Sequence, residues 1–108
     1  MQITIQPDRN IDGVIMAPPS KSMAHRAVLC AALAKGISHI RNLEFSKDIA
    51  ATLAAAGQLC ARVTTGGNDA VVEGLGRFLP VEAPVDCCES GSTLRFLIPI
   101  ASLTGQAV

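Results

Sequence analysis

Two basic residues and two serines lie together at the start of the first predicted helix. Ser20 directly precedes the helix, and Lys21, Ser22 and Arg26 fall within its first turn and a half. Unpaired backbone N–H groups and the helix dipole already present positive potential there. Each exposed cation at such an end is unfavourable by about 0.3–1 kcal/mol. A bound phosphate or carboxylate would remove this conflict, because N–H groups, hydroxyls and basic side chains all donate to it. The spacing therefore indicates an anion site; the alternative is that the basic side chains extend into solvent.

A second segment further along the chain repeats this pattern. Ser90, Gly91 and Ser92 come shortly before Arg95 at the start of the third predicted helix. Glycine lets a ligand approach the backbone closely. Two such helix starts suggest a repeated unit and favour a set of ligands with two anionic groups. The sequence lacks G-x-x-x-x-G-K-S/T, so a P-loop nucleotide site is excluded.

The remaining polar candidates have plain structural explanations. Asp48 falls in the first turn of the second predicted helix, where a carboxylate complements the dipole, and we prefer this role to acid or base catalysis. Glu89 precedes the third helix and is interpreted as its cap. His25 can titrate near neutrality or bind phosphate, but a helical histidine beside an arginine is more often partly solvated. The residues interpreted as core are Met16, Met23, Cys30 and Cys60.

Composition excludes several classes of function. The 108 residues carry nine basic and nine acidic side chains and only three aromatic ones, which argues against an electrostatic or stacking grip on nucleic acid. The longest apolar run, residues 27–34, is too short to span a membrane. The amino terminus lacks the pattern of a signal peptide. We therefore expect a cytoplasmic protein with no nucleic-acid or membrane partner.

The four cysteines and the high apolar content carry two further expectations. No C-x-x-C pair occurs and the two histidines do not cluster with the cysteines, so reduced thiols and no metal or other cofactor are expected. Hydrophobic residues make up 49% of the chain, which is high for a domain that leaves much of itself at the surface. This high apolar content and the apolar helix close to the end of the chain both favour a fragment of a larger protein.

Periodicity predicts alternating strands and helices. The predicted helices are 21–35 with Ser20 as N-cap and Gly36 as its stop, 47–56 between Ser46 and Gly57, and a third from about 90 to 103 that contains Pro99. The predicted strands are 2–6, 13–16, 37–43, 59–65, 70–73 and 85–87, with a loop over 74–84. Between the two anion motifs the order is helix, strand, helix, strand, strand.

Two stretches of sequence resemble a known family. A-P-P-S-K-S-M-A-H-R-A-V-L-C-A-A-L-A-K-G, followed by E-S-G-S-T-L-R-F-L, is similar to the amino-terminal part of the 5-enolpyruvylshikimate-3-phosphate synthase family, over essentially the whole chain. The resemblance implies an α/β fold of the inside-out barrel type, with one βαβαββ unit and the start of a second. It also implies that residues 1–12 belong with the carboxy-terminal domain and 13–108 with a partial substrate-binding domain.

The same resemblance implies an activity. Family members transfer the enolpyruvyl group of phosphoenolpyruvate to the 5-hydroxyl of shikimate 3-phosphate, on the route to chorismate and aromatic amino acids, and are the target of glyphosate. By analogy Lys21, Ser22 and Arg26 bind shikimate 3-phosphate, and Lys21 and Gly91 contact phosphoenolpyruvate. Ser92 and Arg95 would support the second loop.

The resemblance also limits what this chain can do. The acid and base groups of the family lie on later segments, so the chain alone is expected to be inactive and to require the remainder of its polypeptide. The full-length enzyme is expected to be a monomer. Cys88 and Glu89-Ser90 stand where many members have glycine and Asn-Ala. Two alternatives stay open. One is a UDP-N-acetylglucosamine enolpyruvyl transferase, which Ser22 after Lys21 disfavours, and the other is a non-catalytic domain that binds small anions.

Overall fold

The computed structural model describes residues 1–7 and 10–105, which form three helices and one three-stranded sheet. The elements are α1 (Lys21–Leu33), β1 (Lys35–Ile40), α2 (Lys47–Leu59), β2 (Ala61–Gly66), β3 (Asp69–Leu75) and α3 (Gly91–Ser102). The predicted α/β class and the predicted order of elements between the two motifs are confirmed. The chain's last three residues, 106–108, on which the expectation of a longer protein partly rested, lie outside the described residues, as do 8 and 9.

A serine caps the amino terminus of each helix. The hydroxyl oxygen of Ser20 accepts the backbone N–H of Met23, and that of Ser46 accepts the N–H of Ile49, each at 3.3 Å, as predicted. Ser90 caps α3 in the same way, so the interpretation of Glu89 as the cap was wrong. Serine, directly before the helix, reaches the third N–H, whereas Glu89 lies one residue earlier.

Neither glycine predicted to stop a helix does so. α1 ends at Leu33, and Gly36 lies inside β1 with φ of 121°. α2 continues through Gly57 to Leu59, because the side chain of Leu59 is buried in the core and tertiary burial outweighs the helix propensity of one glycine. Pro99 lies inside α3, as predicted.

The sheet has β3 in its centre. β1 and β2 pair with it on either side, both antiparallel, and Gly67 and Asn68 form the turn between β2 and β3. One face of the sheet packs against α1 and α2, and α3 packs on the helices. The core between these layers is made largely of alanine, leucine and valine. Its most deeply buried members are Val28, Ala32, Ile49, Ala55, Ala56, Leu59, Ala70 and Val72.

Three predicted strands do not form. Residues 2–6, 13–16 and 85–87 have no regular structure, because an alternating pattern becomes a strand only where a partner strand supplies hydrogen bonds. Met16 lies in one of these segments and is fully exposed, so its assignment to the core was wrong. Met23 and Cys30 are also exposed, on the outer side of α1. Cys60 is buried, as predicted.

Within the described residues, no helix is long and apolar enough to cross a membrane.

Candidate functional site

Lys21 lies in the first turn of α1 and turns toward the start of α2. Its Nζ lies 2.5 Å from Oδ2 of Asp48, and its side chain is half exposed. Asp48 occupies the first turn of α2, where its charge also complements the helix dipole, as predicted. The ion pair joins two helix starts and holds the ammonium group close to the serine caps of both. Lys21 therefore does not extend freely into solvent.

Arg26 lies one turn after Ser22 and reaches the third helix. Its Nη1 donates to the backbone carbonyl oxygen of Ser22 at 2.9 Å, and its guanidinium carbon lies 5.3 Å from the centroid of the Phe96 ring on α3. A cation at this distance over an aromatic face is attracted by the ring quadrupole. The guanidinium group is thus placed between the two helices that carry the predicted anion motifs.

A buried chain of hydrogen bonds joins the three helices beneath these cations. Nδ1 of His25 on α1 lies 2.7 Å from Oγ1 of Thr52 on α2, which lies 2.8 Å from Oγ1 of Thr93 on α3. Thr93 continues the chain to Oγ of Ser90 at 2.6 Å. His25 is only 1% exposed, so the interpretation of this residue as partly solvated was wrong. Its ring faces the α2–α3 side, where hydroxyl groups replace water.

The environment of His25 favours the neutral imidazole. Burial lowers the pKa of His25 below its ordinary value, and the positive charges of Lys21 and Arg26 lower this pKa further, while the carboxylate of Asp48 partly opposes them. A neutral ring can accept or donate one hydrogen bond at Nδ1, which the contact with Thr52 satisfies. We therefore interpret His25 as a buried hydrogen-bonding residue and not as a third cation of the predicted anion site.

The start of α3 presents open space at Gly91. A side-chain carbon built on this glycine would meet no other atom within 4 Å, and the residue is exposed next to the buried Ser90. Ser92 and Arg95 are exposed on the same helix. The N–H of Thr93 is bonded to the Ser90 hydroxyl, so a ligand at this helix start would be bound by the backbone N–H groups of Gly91 and Ser92. No described contact joins Ser92 or Arg95 to the cations of α1.

A small cleft lies between the caps of α1 and α2. Its volume is about 170 Å³, and it is lined by Pro19, Ser20, Lys21, Ala24, Glu44 and Ser46. Ser22 and Arg26 do not line it, so the cleft covers only the Lys21 side of the predicted anion site. Lys21 is the one cationic side chain among these lining residues, and Glu44 places an acidic group opposite to it in charge in the same cleft.

The two cysteines beside the second motif are not activated nucleophiles. Burial raises the pKa of Cys87, and desolvation together with the neighbouring carboxylate of Asp86 raises the pKa of Cys88. A higher pKa lowers the thiolate fraction near neutral pH. Both thiols are free, as are those of Cys30 and Cys60.

Reasoning from the sequence missed Thr52 and Thr93. Thr52 is the only hydroxyl residue within the run I-A-A-T-L-A-A-A of α2. A lone hydroxyl at a position that the helical period places in the core requires a partner, because a buried polar group without a hydrogen bond is costly. That requirement was the available signal. The identity of the partner on α3 depends on how the helices pack.

Comparison with known proteins identifies the family. Residues 5–108 match the family described as EPSP synthase (3-phosphoshikimate 1-carboxyvinyltransferase). A 3-phosphoshikimate 1-carboxyvinyltransferase of Clostridium kluyveri is 41% identical over 106 residues, which are 98% of this chain and 25% of that protein. One of Clostridium beijerinckii is 46% identical over 100 residues, which are 86% of this chain and 23% of that protein.

A solved structure supports the fold. The EPSP synthase from Acinetobacter baumannii superposes with a TM-score of 0.71 at 24% identity, over 79% of this chain and 20% of that one. The chain thus spans about a quarter of the length of the curated relatives that it matches. Its anion motifs, its order of elements and its similarity to these proteins agree, and the chain belongs to the EPSP synthase (3-phosphoshikimate 1-carboxyvinyltransferase) family.

Proposed function

We propose that this chain is the amino-terminal substrate-binding part of an enzyme that transfers the enolpyruvyl group of phosphoenolpyruvate to the 5-hydroxyl of shikimate 3-phosphate. Membership of the family supplies the reaction. The observation that carries the proposal is the position of the cations: Lys21 and Arg26 lie at the start of α1, and Arg26 contacts α3, whose first residue is Gly91. Two anionic substrates require such a pair of adjoining anion sites.

In this proposal Lys21, Ser22 and Arg26 bind shikimate 3-phosphate. The hydroxyl of Ser22 and the two basic side chains donate charge-assisted hydrogen bonds to phosphate. Lys21 also contacts phosphoenolpyruvate, whose other neighbour is the exposed backbone at Gly91. Lys21 must first leave Asp48, whose side chain is 28% exposed while that of Lys21 is 54% exposed. Ser92 and Arg95 support the second site from α3.

The chemical contribution of these residues is proximity and charge neutralisation. In the reaction, C3 of phosphoenolpyruvate takes up a proton and the 5-hydroxyl oxygen bonds to C2 as its own proton leaves. Inorganic phosphate then departs and C3 loses a proton, which leaves the enol ether. A cation between the two substrates offsets their mutual repulsion and holds the hydroxyl near C2. We propose that the groups that move the protons lie in the part of the family's proteins that this chain does not cover.

Two further statements belong to the same proposal. The reaction needs no redox or group-carrying cofactor, because the balance of atoms and electrons closes with the two substrates alone. The four free thiols fit the reducing conditions of the cytoplasm, where we place the protein.

A titration of the isotopically labelled chain with shikimate 3-phosphate, followed by amide NMR, tests the proposal. We expect saturable shifts at Lys21, Ser22 and Arg26. Lys21→Ala and Arg26→Ala should each weaken binding by about 10- to 150-fold, the equivalent of about 1.5–3 kcal/mol for a hydrogen bond to a charged group. Lys35→Ala, which removes an exposed lysine of β1 at the far end of α1, is the matched control.

Two outcomes would contradict the proposal. Wild-type affinity in Lys21→Ala or Arg26→Ala would remove these residues from the site. Saturable binding of UDP-N-acetylglucosamine, with no response to shikimate 3-phosphate, would assign the chain to the nucleotide-sugar branch of the enolpyruvyl transferases instead.

A further inference from the structure

The hydrogen-bond chain beneath the anion site is completely enclosed. Exposure is 1% for His25, 0% for Thr52 and Thr93, and 4% for Ser90. Each helix contributes to the chain, which runs from α1 through α2 to the cap of α3. Among the described residues, no buried side-chain nitrogen or oxygen lacks a hydrogen-bond partner. The network is thus fully satisfied in a domain whose core is otherwise almost wholly aliphatic.

Stability alone does not explain such a network. Valine has nearly the shape of threonine, and exchanging a buried polar set for apolar groups of the same shape is often neutral or favourable. Hydrogen bonds, however, tolerate only a few tenths of an ångström and a limited range of angles, whereas apolar contacts let helices slide. A buried polar chain therefore fixes one relative placement of the helices that it joins.

The helices that the network joins are those that carry the proposed anion site. His25 lies one helical turn after Lys21 on the same face of α1 and immediately before Arg26. Thr93 lies in the first turn of α3, two residues after Gly91. The Thr93 hydroxyl also lies 3.3 Å from the carbonyl oxygen of Asp48, whose carboxylate holds Lys21. Two routes of contact thus connect the same three helix starts.

We propose that Thr52 and Thr93 are positioning residues that hold the start of α3 at a fixed distance from the start of α1, so that two anions bound there are kept at the separation that group transfer needs. The inference rests on the proposed function. Neither threonine contacts a substrate. They act through Arg26 on one side and the backbone at Gly91 on the other.

The position of Thr52 within the hydrogen-bond chain explains why its hydroxyl is needed. A threonine hydroxyl has one proton to donate and accepts as well, and Thr52 stands between the ring of His25 and the hydroxyl of Thr93. Valine at position 52 would leave Nδ1 of His25 without its partner and would separate α1 from α3. Serine would keep the hydroxyl and lose only a methyl group.

The test compares Thr52→Val and Thr52→Ser with Thr64→Val, a matched control at an exposed threonine of β2. The first measurement needs no ligand: nuclear Overhauser contacts between the Arg26 side chain and the Phe96 ring report the placement of α1 against α3. We expect Thr52→Val to lose them, and Thr52→Ser and Thr64→Val to keep them. Thr93→Val breaks the same network from α3 and provides the comparison if Thr52→Val does not fold.

The second measurement repeats the titration with shikimate 3-phosphate followed by phosphoenolpyruvate. In the wild type we expect shifts at both Lys21 and Gly91. In Thr52→Val the shift at Lys21 should remain and the shift at Gly91 should be lost, with recovery in Thr52→Ser. A Thr52→Val protein that melts earlier but keeps the Arg26–Phe96 contacts and both shifts would overturn the proposal, because Thr52 would then contribute only to stability.

The two proposals can fail separately. A wild-type chain that binds neither shikimate 3-phosphate nor phosphoenolpyruvate contradicts the proposed function. The Arg26–Phe96 contacts measured without ligand still decide whether the threonines fix α3 against α1. Retained contacts in both valine variants would refute the positioning role even if the wild type binds both substrates.

Discussion

Gly74 provides the sharpest test of how α1 is seated on the sheet. This residue lies in the central strand β3, opposite Gly36 on one neighbour and Ala61 on the other. The carboxy-terminal end of α1 crosses directly above it. A side-chain carbon at position 74 would overlap the carbonyl oxygen of Ala34 and lie 2.7 Å from that of Ala31. Both oxygens belong to backbone, so neither can turn aside, and Gly74→Ala must lift the helix from the strand.

The magnitude follows from this geometry. Inserting one methyl group into a well-packed core costs about 1–3 kcal/mol, and we expect the upper end or more because two backbone oxygens block the site. For a domain of this size, 1 kcal/mol shifts the melting temperature by about 4–8 °C. Gly74→Ala should therefore melt about 12 °C or more below the wild type, as circular dichroism would measure.

Two other glycines serve as controls. An added carbon at Gly66, at the end of β2, meets nothing within 4 Å, and at Gly57, inside α2, it meets only a Val63 methyl at 3.9 Å. Gly66→Ala should have little effect, and Gly57→Ala should stabilise by about 0.5–1 kcal/mol through helix propensity. A Gly74→Ala protein that melts with the wild type would refute the close contact between α1 and β3.

Two further predictions concern acidity and thiol reactivity. Burial depresses the pKa of His25 in the folded state. The contribution of His25 to stability is therefore complete above the unfolded pKa of about 6.5 and is lost as the pH falls below that value. Denaturant midpoints measured between pH 7 and 5 should decline in the wild type and in the control His39→Asn, and should decline less in His25→Asn. In the native protein, Cys30 is exposed and Cys60 is buried, so a maleimide should label Cys30 and spare Cys60, and equal labelling rates would contradict the burial of Cys60.

Local signals in the sequence predicted the starts of α1 and α2 correctly. Ser20 and Ser46 are caps because their hydroxyls bond N–H groups only three residues away, and nothing distant is needed to specify such a contact. The strands predicted at 59–65 and 70–73 correspond to β2 and β3, which are sequence neighbours and pair across a short turn. Where the partner is a sequence neighbour, the pattern alone is sufficient.

Features that depend on distant partners were predicted poorly. Residues 2–6 alternate as a strand does, but no neighbouring strand accepts their hydrogen bonds in the described structure. α2 runs past Gly57 because Leu59 finds a place in the core. Met23 is apolar, yet it lies on the face of α1 that no other element covers. The hydrophobicity of a residue shows that it can be buried, but not whether another element of the fold covers it.

The candidate site shows the same difference between local features and features that depend on distant partners. Residue types and helix starts predicted Lys21, Ser22, Arg26 and Gly91 as candidate binding residues, while the residues that they face on other helices were not predicted. The pairing of Lys21 with Asp48 and of Arg26 with Phe96 depends on how three helices pack. Single-helix reasoning identified the groups that could bind an anion, and tertiary structure determined which of them lie near one another.

The sheet order has a consequence for how the chain assembles as it is synthesised. Every sheet hydrogen bond in the described residues involves β3, which is the last of the three strands to leave the ribosome. β1, although made much earlier, has no partner until residues 69–75 emerge. A nascent chain that ends before Asp69 therefore contains the capped segments of α1 and α2 but no sheet on which to seat them. Assembly of this domain must wait for its central strand, which then joins both edges at once.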